Sequence, residues 1–262
     1  MANIHPTAQV SPQAHVADDV DIGPFCVVEP KAVIGKACIL QPHVTIKGNV
    51  VMGDNNKVCQ GAILGGDPQD RKYQGEETFL EIGDDNFFGE YVTIHRATGA
   101  GNKTVIGDRN YIMAFVHMGH NGTITDDCTI TNNVALAGHV TIEERATIGG
   151  MTGVHQFVRI GKFAMVGGMS RITRDCPPFL ITEGMEQTVW DINAIGLRRI
   201  GIKPEARLAL HKACKLIFKS KLALSNAIEI VRREVPQTDE VDYLIAFMER
   251  LYHGKNGRGD QR

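Results

Sequence analysis

Four imidazoles fall in one stretch of this chain: His117, His120, His139 and His155. Imidazole is the side chain that changes charge near neutral pH, and it is also a common metal ligand. Two chemistries suit a cluster of them. Three imidazoles around one open position can hold a divalent metal. Alternatively, one imidazole takes a proton from a reacting group while its neighbours position the substrate. No nearby cysteine or pair of carboxylates chooses between the two. Both require side chains far apart in order to meet, and the surrounding residues say how.

From Ile106 an aliphatic residue recurs at every sixth position: Ile112, Met118, Ile124, Ile130, Leu136, Ile142, Ile148, Val154, Ile160, Val166 and Ile172. Six matches neither the period of a helix nor the alternation of an ordinary strand. It is the period of a hexapeptide β-helix, in which each unit supplies one short strand and one corner. Three units close a coil, so residues eighteen apart stack. His120 then stacks on Gly138 and Gly138 on Gln156, with His139 one place past that column and His155 one place before it. Coils are spaced like neighbouring strands, so His120 and His139 should lie roughly 5 Å apart, and His155 roughly 10 Å from His120. A single His at a turn is ordinarily an exposed or hydrogen-bonded residue, and His5, His15, His43, His211 and His253 are read that way. Three in one column beside Gln156 point to a site.

The same frame opens the chain, from Ile4, Val10 and Val16 to Leu64. Gly23, Gly35, Gly53 and Gly65 follow an aliphatic and read as corner residues, as do Pro12, Pro24, Pro30 and Pro42, which lack an N–H. Cys26, Cys38, Cys128 and Cys176 occupy the place four after an aliphatic, where alanines also stand. With Cys59 and Cys214 they read as small core residues in a reducing compartment. The frame breaks after Leu64 into a long polar loop and resumes at Ile82; loops of that length usually have a task. A second break covers residues 96–105.

Cys176, Pro177 and Pro178 end the frame, and from about Asp191 the pattern is helical. Pro204 opens a helix that sets Leu208, Ala209, Ala213, Leu216 and Ile217 on one stripe. Ser225 and Thr238 are candidate caps of two more helices, and the tail 254–262 reads as frayed. Such a helical unit would cover the open edge of the coil. The expected fold is mainly β, a parallel β-helix over 1–186 and a C-terminal α-helical domain over 187–262. Aromatics at 6% and 28 glycines suit thin aliphatic coils. No apolar run is long enough for a membrane span, and no secretory signal opens the chain; the expected location is cytoplasmic. Basic residues do not interleave with aromatics, and the formal net charge is -2, which argues against a nucleic-acid partner.

Seven stretches, in order along nearly the whole chain, resemble the bacterial UDP-N-acetylglucosamine O-acyltransferases, the family of the first step of lipid A synthesis. They are IHPTA at 4–8, PQDRKYQGEET at 68–78, VTIHR at 92–96, VHMGHNGTI at 116–124, ALAGHVTI at 135–142, GGMTGVHQFVRIG at 149–161 and GLRRIG at 196–201. The hexad is shared by many acyltransferases; the loop with Gln69, Asp70 and Lys72, the HxxH, the AGH and the VHQF are specific. The resemblance implies a left-handed coil, a homotrimer with sites between subunits, and neither metal nor cofactor. It implies acyl carrier protein as donor and UDP-N-acetylglucosamine as acceptor. By position His120 is the general base and the Gly138 N–H faces the oxyanion. Asp70, Lys72, His117, His139, His155, Gln156, Asn193 and Arg199 align with substrate-contacting positions, and Gly168 and Glu186 with the acyl-chain groove. Three departures stand out: Asn121 where an Asp is common, which removes a charge that would favour the protonated imidazole, and Ile195 and Ile200 where Glu and Arg are frequent.

Two other readings compete: a metal-dependent hydratase of the γ-carbonic-anhydrase type, and a non-enzymatic scaffold. The first gives the helical domain and the Lys72 loop no task, and the second predicts that His120→Ala leaves every function intact. Residues 191–221 are basic, with Arg198, Arg199, Lys203, Arg207, Lys212, Lys215, Lys219 and Lys221 against Asp191 and Glu205. Arg198, Arg207, Lys212 and Lys215 are read as a dock for an acidic carrier protein. Replacing Lys212 and Lys215 by Glu should therefore raise the KM for the acyl-carrier donor in steady-state assays; an unchanged KM would remove the dock.

Overall fold

The computed structural model describes residues 1–253. The tail 254–262, read as frayed, lies outside them, as does the side chain of His253. Most hexads form a strand of two residues whose second member, the periodic aliphatic, points inward. In Thr123–Ile124, Thr129–Ile130 and Thr141–Ile142 the Thr is half-buried and the Ile buried. Such short strands hold because their hydrogen bonds run along the coil axis. Thr123 N–H donates to Val140 O and Thr125 N–H to Ile142 O, each in the next coil. Three sheets of 11, 9 and 8 strands form the faces of a prism. Within a face the register keeps aliphatics in columns, as in Met118 to Leu136 to Val154. Those columns are the core, closed along its length and open at the first coil, where Ile4 is exposed.

Corners turn on residues with positive φ three places after the aliphatic, and most are not glycine: Phe115 (61°), Asn121 (58°), His139 (61°) and Phe157 (66°). Each costs about 1–2 kcal/mol in that conformation, offset by the bond its N–H makes to the coil before, as His139 N–H does to His120 O at 2.9 Å. Of the four glycines read as corner residues, only Gly65 has positive φ. The others are required for space: a Cβ on Gly35 would come within 2.5 Å of the Gly53 backbone.

One inward column departs from aliphatic packing. Asn56, Asn86 and Asn110 occupy the place otherwise held by Cys38, Cys128 and Ala146, and all three are buried. Asn86 Nδ2 donates to Asn56 Oδ1 (3.0 Å) and to Gly107 O (2.9 Å), and Asn86 Oδ1 accepts from Asn110 N–H (2.9 Å). The chain's pattern of small residues concealed this ladder. The six cysteines are buried and free, and burial pushes the Cys128 and Cys214 thiols up to about 12.

The two prolines do not stop the coil. Cys176 bridges to Ile160, and Leu180–Glu183 pairs in parallel with Met165–Val166. A proline at a corner needs no ladder N–H, so winding passes through it. The antiparallel strand Thr188–Ile192 ends that sheet, and residue 186 falls in the intervening turn. Among the described residues four helices follow: α1 (Ala194–Arg199), α2 (Pro204–Cys214), α3 (Leu224–Glu234) and α4 (Asp239–His253). A π-helical turn, Lys215–Lys219, follows α2. Phe179 and Leu180 share a second core with Leu197, Ala213, Val231 and Phe247. Thr238 Oγ1 accepts from Val241 N–H at the start of α4. Ser225, however, lies inside α3, whose preceding residue Ala223 makes no cap bond. Leu208 is exposed because the buried face of α2 centres on Ala206, Ala209, Leu210 and Ala213, and one residue is about 100° around the helix. The helix α4 docks on the side of the last coils, with the Arg159 guanidinium 4.4 Å from the Phe247 ring and Tyr243 O–H donating to Glu143 Oε2 at 2.9 Å. Among the described residues no helix is long and apolar enough to cross a membrane.

Asn86→Ala should leave the Asn110 N–H without its acceptor and Gly107 O without its donor. Each such buried group costs about 1–3 kcal/mol, so the variant is expected to lower Tm in thermal unfolding by at least about 5 °C. An unchanged Tm would refute the ladder's role.

Candidate active site

The strands Thr93–His95, His117–Met118, Ala135–Leu136 and Gly153–Val154 belong to one sheet and stack in register. His120, Gly138 and Gln156 therefore share one column two places after the aliphatic. Together with His117 and His155 they line an open groove of ≈ 590 Å³. His139 adjoins it: its ring centroid is 5.3 Å from that of His120, edge to face, and 4.6 Å from the Phe157 ring, stacked. The spacing of His120 and His139 is the one the coil arithmetic expects.

The His120 ring sits over Gly138. A Cβ there would lie 2.8 Å from Cε1 and Nε2 of His120, so any other residue would displace the imidazole. The backbone N–H two places after an aliphatic points towards the next coil. On a neighbouring corner it is satisfied there: Asp54, Asp84 and Lys36 N–H groups donate to Asp84, Asp108 and Asp54 Oδ1. Among the described residues the Gly138 N–H meets no such acceptor. It is a backbone donor left open beside an imidazole, on the wall of a groove.

His120 Nδ1 lies 2.8 Å from Asn121 Oδ1, and His117 Nδ1 2.9 Å from Thr93 Oγ1. Burial holds the His117 imidazole below the usual histidine range, with His95 adding repulsion. Burial also lowers His139, with His120 adding to it and Asp70 opposing. Asp70 thus acts on His139 through its charge from the polar loop, and Gln69 lines the groove itself. The loop is fastened by an Arg96–Asp67 ion pair and by His95 Nδ1, 2.6 Å from Asp67 O. Lys72 is exposed, and its N–H donates to Asp70 Oδ1 at 2.9 Å.

Other expected residues lie outside the groove. Asn193 caps α1, with Oδ1 accepting from Gly196 N–H at 3.1 Å and Nδ2 donating to Phe163 O at 3.2 Å. Arg199 is exposed at the end of α1; Gly168 and Glu186 are exposed at a different corner and in the hairpin turn. Of the basic set, Arg198, Lys212 and Lys215 are exposed, and Arg207 is half-buried with Nε unpaired. His211 is engaged with Asp191 at 2.7 Å. Two groove neighbours escaped the sequence reading. Arg171 lines the far end of the groove, and His95 stands 5.1 Å from His117, edge to face. His95 could have been found by carrying the column across the second break, which lengthens that coil so that Ile94 pairs with Met118. No group of three His, Cys, Asp or Glu among the described residues is arranged to hold a metal ion.

Because the folded protein binds protons at His117 and His139 less readily than the unfolded chain, these groups contribute full stability above about pH 6.5. That contribution is lost as pH falls from there towards their folded values. NMR titration is expected to show both imidazoles titrating below a free histidine; a midpoint at or above it for either would contradict this.

Comparison with known proteins agrees with the geometry. The family described as Udp N-acetylglucosamine O-acyltransferase, domain 2, matches residues 175–259. The acyl-[acyl-carrier-protein]–UDP-N-acetylglucosamine O-acyltransferase of Thermodesulfovibrio yellowstonii is 43% identical, over 97% of this chain and 99% of that one. Its namesake from Synechocystis is 45% identical over 82% of this chain and 78% of its own. Among solved structures, LpxA from Bacteroides fragilis, a UDP-N-acetylglucosamine acyltransferase, superposes with a TM-score of 0.94 at 35% identity, over 99% of this chain and 100% of that one. LpxA from Acinetobacter baumannii gives 0.92 at 38%, with the same coverage. The coil is accordingly a left-handed parallel β-helix. The chain belongs to the acyl-[acyl-carrier-protein]–UDP-N-acetylglucosamine O-acyltransferase family.

Proposed function

We propose that this protein moves a hydroxyacyl chain from acyl carrier protein to the 3-hydroxyl of UDP-N-acetylglucosamine, the first step of lipid A synthesis. The reading is carried by one observation: an imidazole held over a glycine whose N–H is unused, at the wall of an open groove. His120 Nε2 takes the proton of the sugar hydroxyl as its oxygen attacks the thioester carbonyl. The carbonyl oxygen becomes an oxyanion, and the Gly138 N–H donates to it. Collapse expels the carrier thiolate, which recovers the proton from His120. His117 and His139, kept neutral by burial, offer hydrogen bonds to the sugar without repelling the imidazolium that forms on His120. His155 and Gln156 extend this surface along the groove.

Asp70 and Lys72 hold the nucleotide-sugar from the polar loop, where a compact ammonium suits a diphosphate. Asn193, Arg199, Gly168 and Glu186 lie outside this chain's groove, and a homotrimer would let a neighbouring subunit bring them to it, as nucleotide and acyl-chain contacts. Arg198, Arg207, Lys212 and Lys215 form the dock for the acidic carrier, with Arg198, Lys212 and Lys215 exposed. Six unpaired cysteines accord with a cytoplasmic site of action. A division into a coil unit, 1–186, and a helical unit, 187–262, accords with the presence of two hydrophobic cores, with Phe179 and Leu180 of the coil unit packing in the second. The hydratase reading has no observation in its favour.

Incubation with UDP-N-acetylglucosamine and hydroxyacyl-carrier protein should yield the 3-O-acyl product. His120→Ala should lose activity by roughly 10²–10⁴-fold, the contribution of a general base. Undiminished turnover in that variant would overturn the assignment of the base.

A further inference from the structure

The second interruption of the hexads, at residues 96–105, ends beside the proposed base, and its contacts determine which nitrogen of His120 carries the proton. Thr98 N–H lies 2.8 Å from one side-chain terminus of Asn121, and Thr98 O lies 3.1 Å from the other. A backbone N–H can only donate and a backbone carbonyl can only accept. The terminus facing Thr98 N–H is therefore the amide oxygen, and the terminus facing Thr98 O is the amide nitrogen. This pair of fixed partners excludes the flipped amide. The oxygen so identified lies 2.8 Å from His120 Nδ1. An amide oxygen has no hydrogen to give, so Nδ1 must be the donor. In neutral imidazole the other nitrogen, Nε2, is then the bare lone pair, and it is Nε2 that sits over Gly138.

We infer that Asn121, clamped by Thr98, is a positioning residue that locks His120 in the Nδ1–H tautomer, and that this protein performs the locking with a neutral amide in place of a charge. The inference rests on His120 being the base. It assigns Thr98, which touches neither groove nor imidazole, a task in the site. The clamp is itself braced. Asn121 N–H donates to Thr104 Oγ1 at 2.9 Å, and Asn102 Nδ2 donates to Thr98 O at 2.8 Å. Gly99 N–H donates to Glu76 Oε1 at 2.8 Å, which ties this segment to the polar loop. Asn121 also holds a positive φ of 58°, a conformation Asn tolerates better than most residues. The amide suits its surroundings: its nitrogen donates to Thr98 O, a bond a carboxylate would lack while its other oxygen could still accept from His120 Nδ1.

The test reads the tautomer directly. In the full-length wild-type protein without substrate, ¹⁵N chemical shifts of the neutral His120 ring should show Nδ1 protonated and Nε2 bare. A protonated Nε2 would overturn the inference whatever the activity. Asn121→Ala should release the lock, giving mixed tautomers and a kcat lower by roughly tenfold to a hundredfold, less than the 10²–10⁴ lost with the base itself. KM should change little. Retention of the Nδ1–H signature together with wild-type kcat in Asn121→Ala would also refute it. Asn121→Asp should keep the tautomer and move the acid limb of the kcat/KM–pH profile upward by about one unit or more, because a carboxylate favours imidazolium. The other groups facing this ring are His139 on the next coil, His117 and His155 in the groove, and Asp70 beyond His139; none is altered in these variants. An unmoved limb would count against the neutral lock. Should His120→Ala remain active, the proposed chemistry fails while the tautomer measurement still decides the clamp.

Discussion

In this coil a strand of two residues survives because its backbone groups bond to the strand one coil away. Thr123, Thr141 and the residues after them each pass a hydrogen bond along the axis. No single coil could hold its corners, since many demand a positive φ from residues as large as Phe and His. The axial ladder therefore sets both the stability and the register. It also explains why the inward places must be filled identically at each level, by an aliphatic or, in one column, by an asparagine that continues the ladder inside the core.

The same ladder builds the site. Stacking brings His120, Gly138 and Gln156 into one line although nothing local in the sequence joins them. A glycine at the middle level leaves room for the imidazole above it, and the unused N–H follows from the absence of a carboxylate on the next coil. The interruptions of the repeat supply the remaining contacts of the site. The polar loop delivers Gln69 to the groove and the charge of Asp70 to act on His139, the second interruption delivers Thr98, and Glu76 joins the two through Gly99. A regular coil offers only backbone and outward side chains at fixed spacing. Departures from it are what allow second contacts to reach around a histidine.

Two imidazoles of the site are held uncharged, although Arg171 lines the far end of the groove and Asp70 acts on His139. Burial holds His117 and His139 neutral, and the partner of His120 is an amide. A cluster of imidazoles this close would repel if several were protonated, so the environment favours one proton in transit at a time. A local excess of positive charge lies on α1, α2 and the turn after them, where Arg198, Arg199, Lys212 and Lys215 are exposed.

The hexad period determined the coil, its eighteen-residue stacking and the meeting of His120 with His139, because side-chain direction in a strand depends on local spacing alone. The cysteine places and the start of α2 were legible for the same reason. Spacing could not reveal the Asn56–Asn86–Asn110 ladder, since a small polar residue is distinguished from a small apolar one only by its neighbours across coils. It set the coil's end at Pro177 and Pro178, whereas pairing of Leu180–Glu183 with Met165–Val166 carries the winding further. His95 was hidden by a break whose length changes the stacking interval. The roles of Thr98 and Asn121 were decided only by tertiary structure, because a hydrogen bond's direction is fixed by which donor and which acceptor the fold brings face to face.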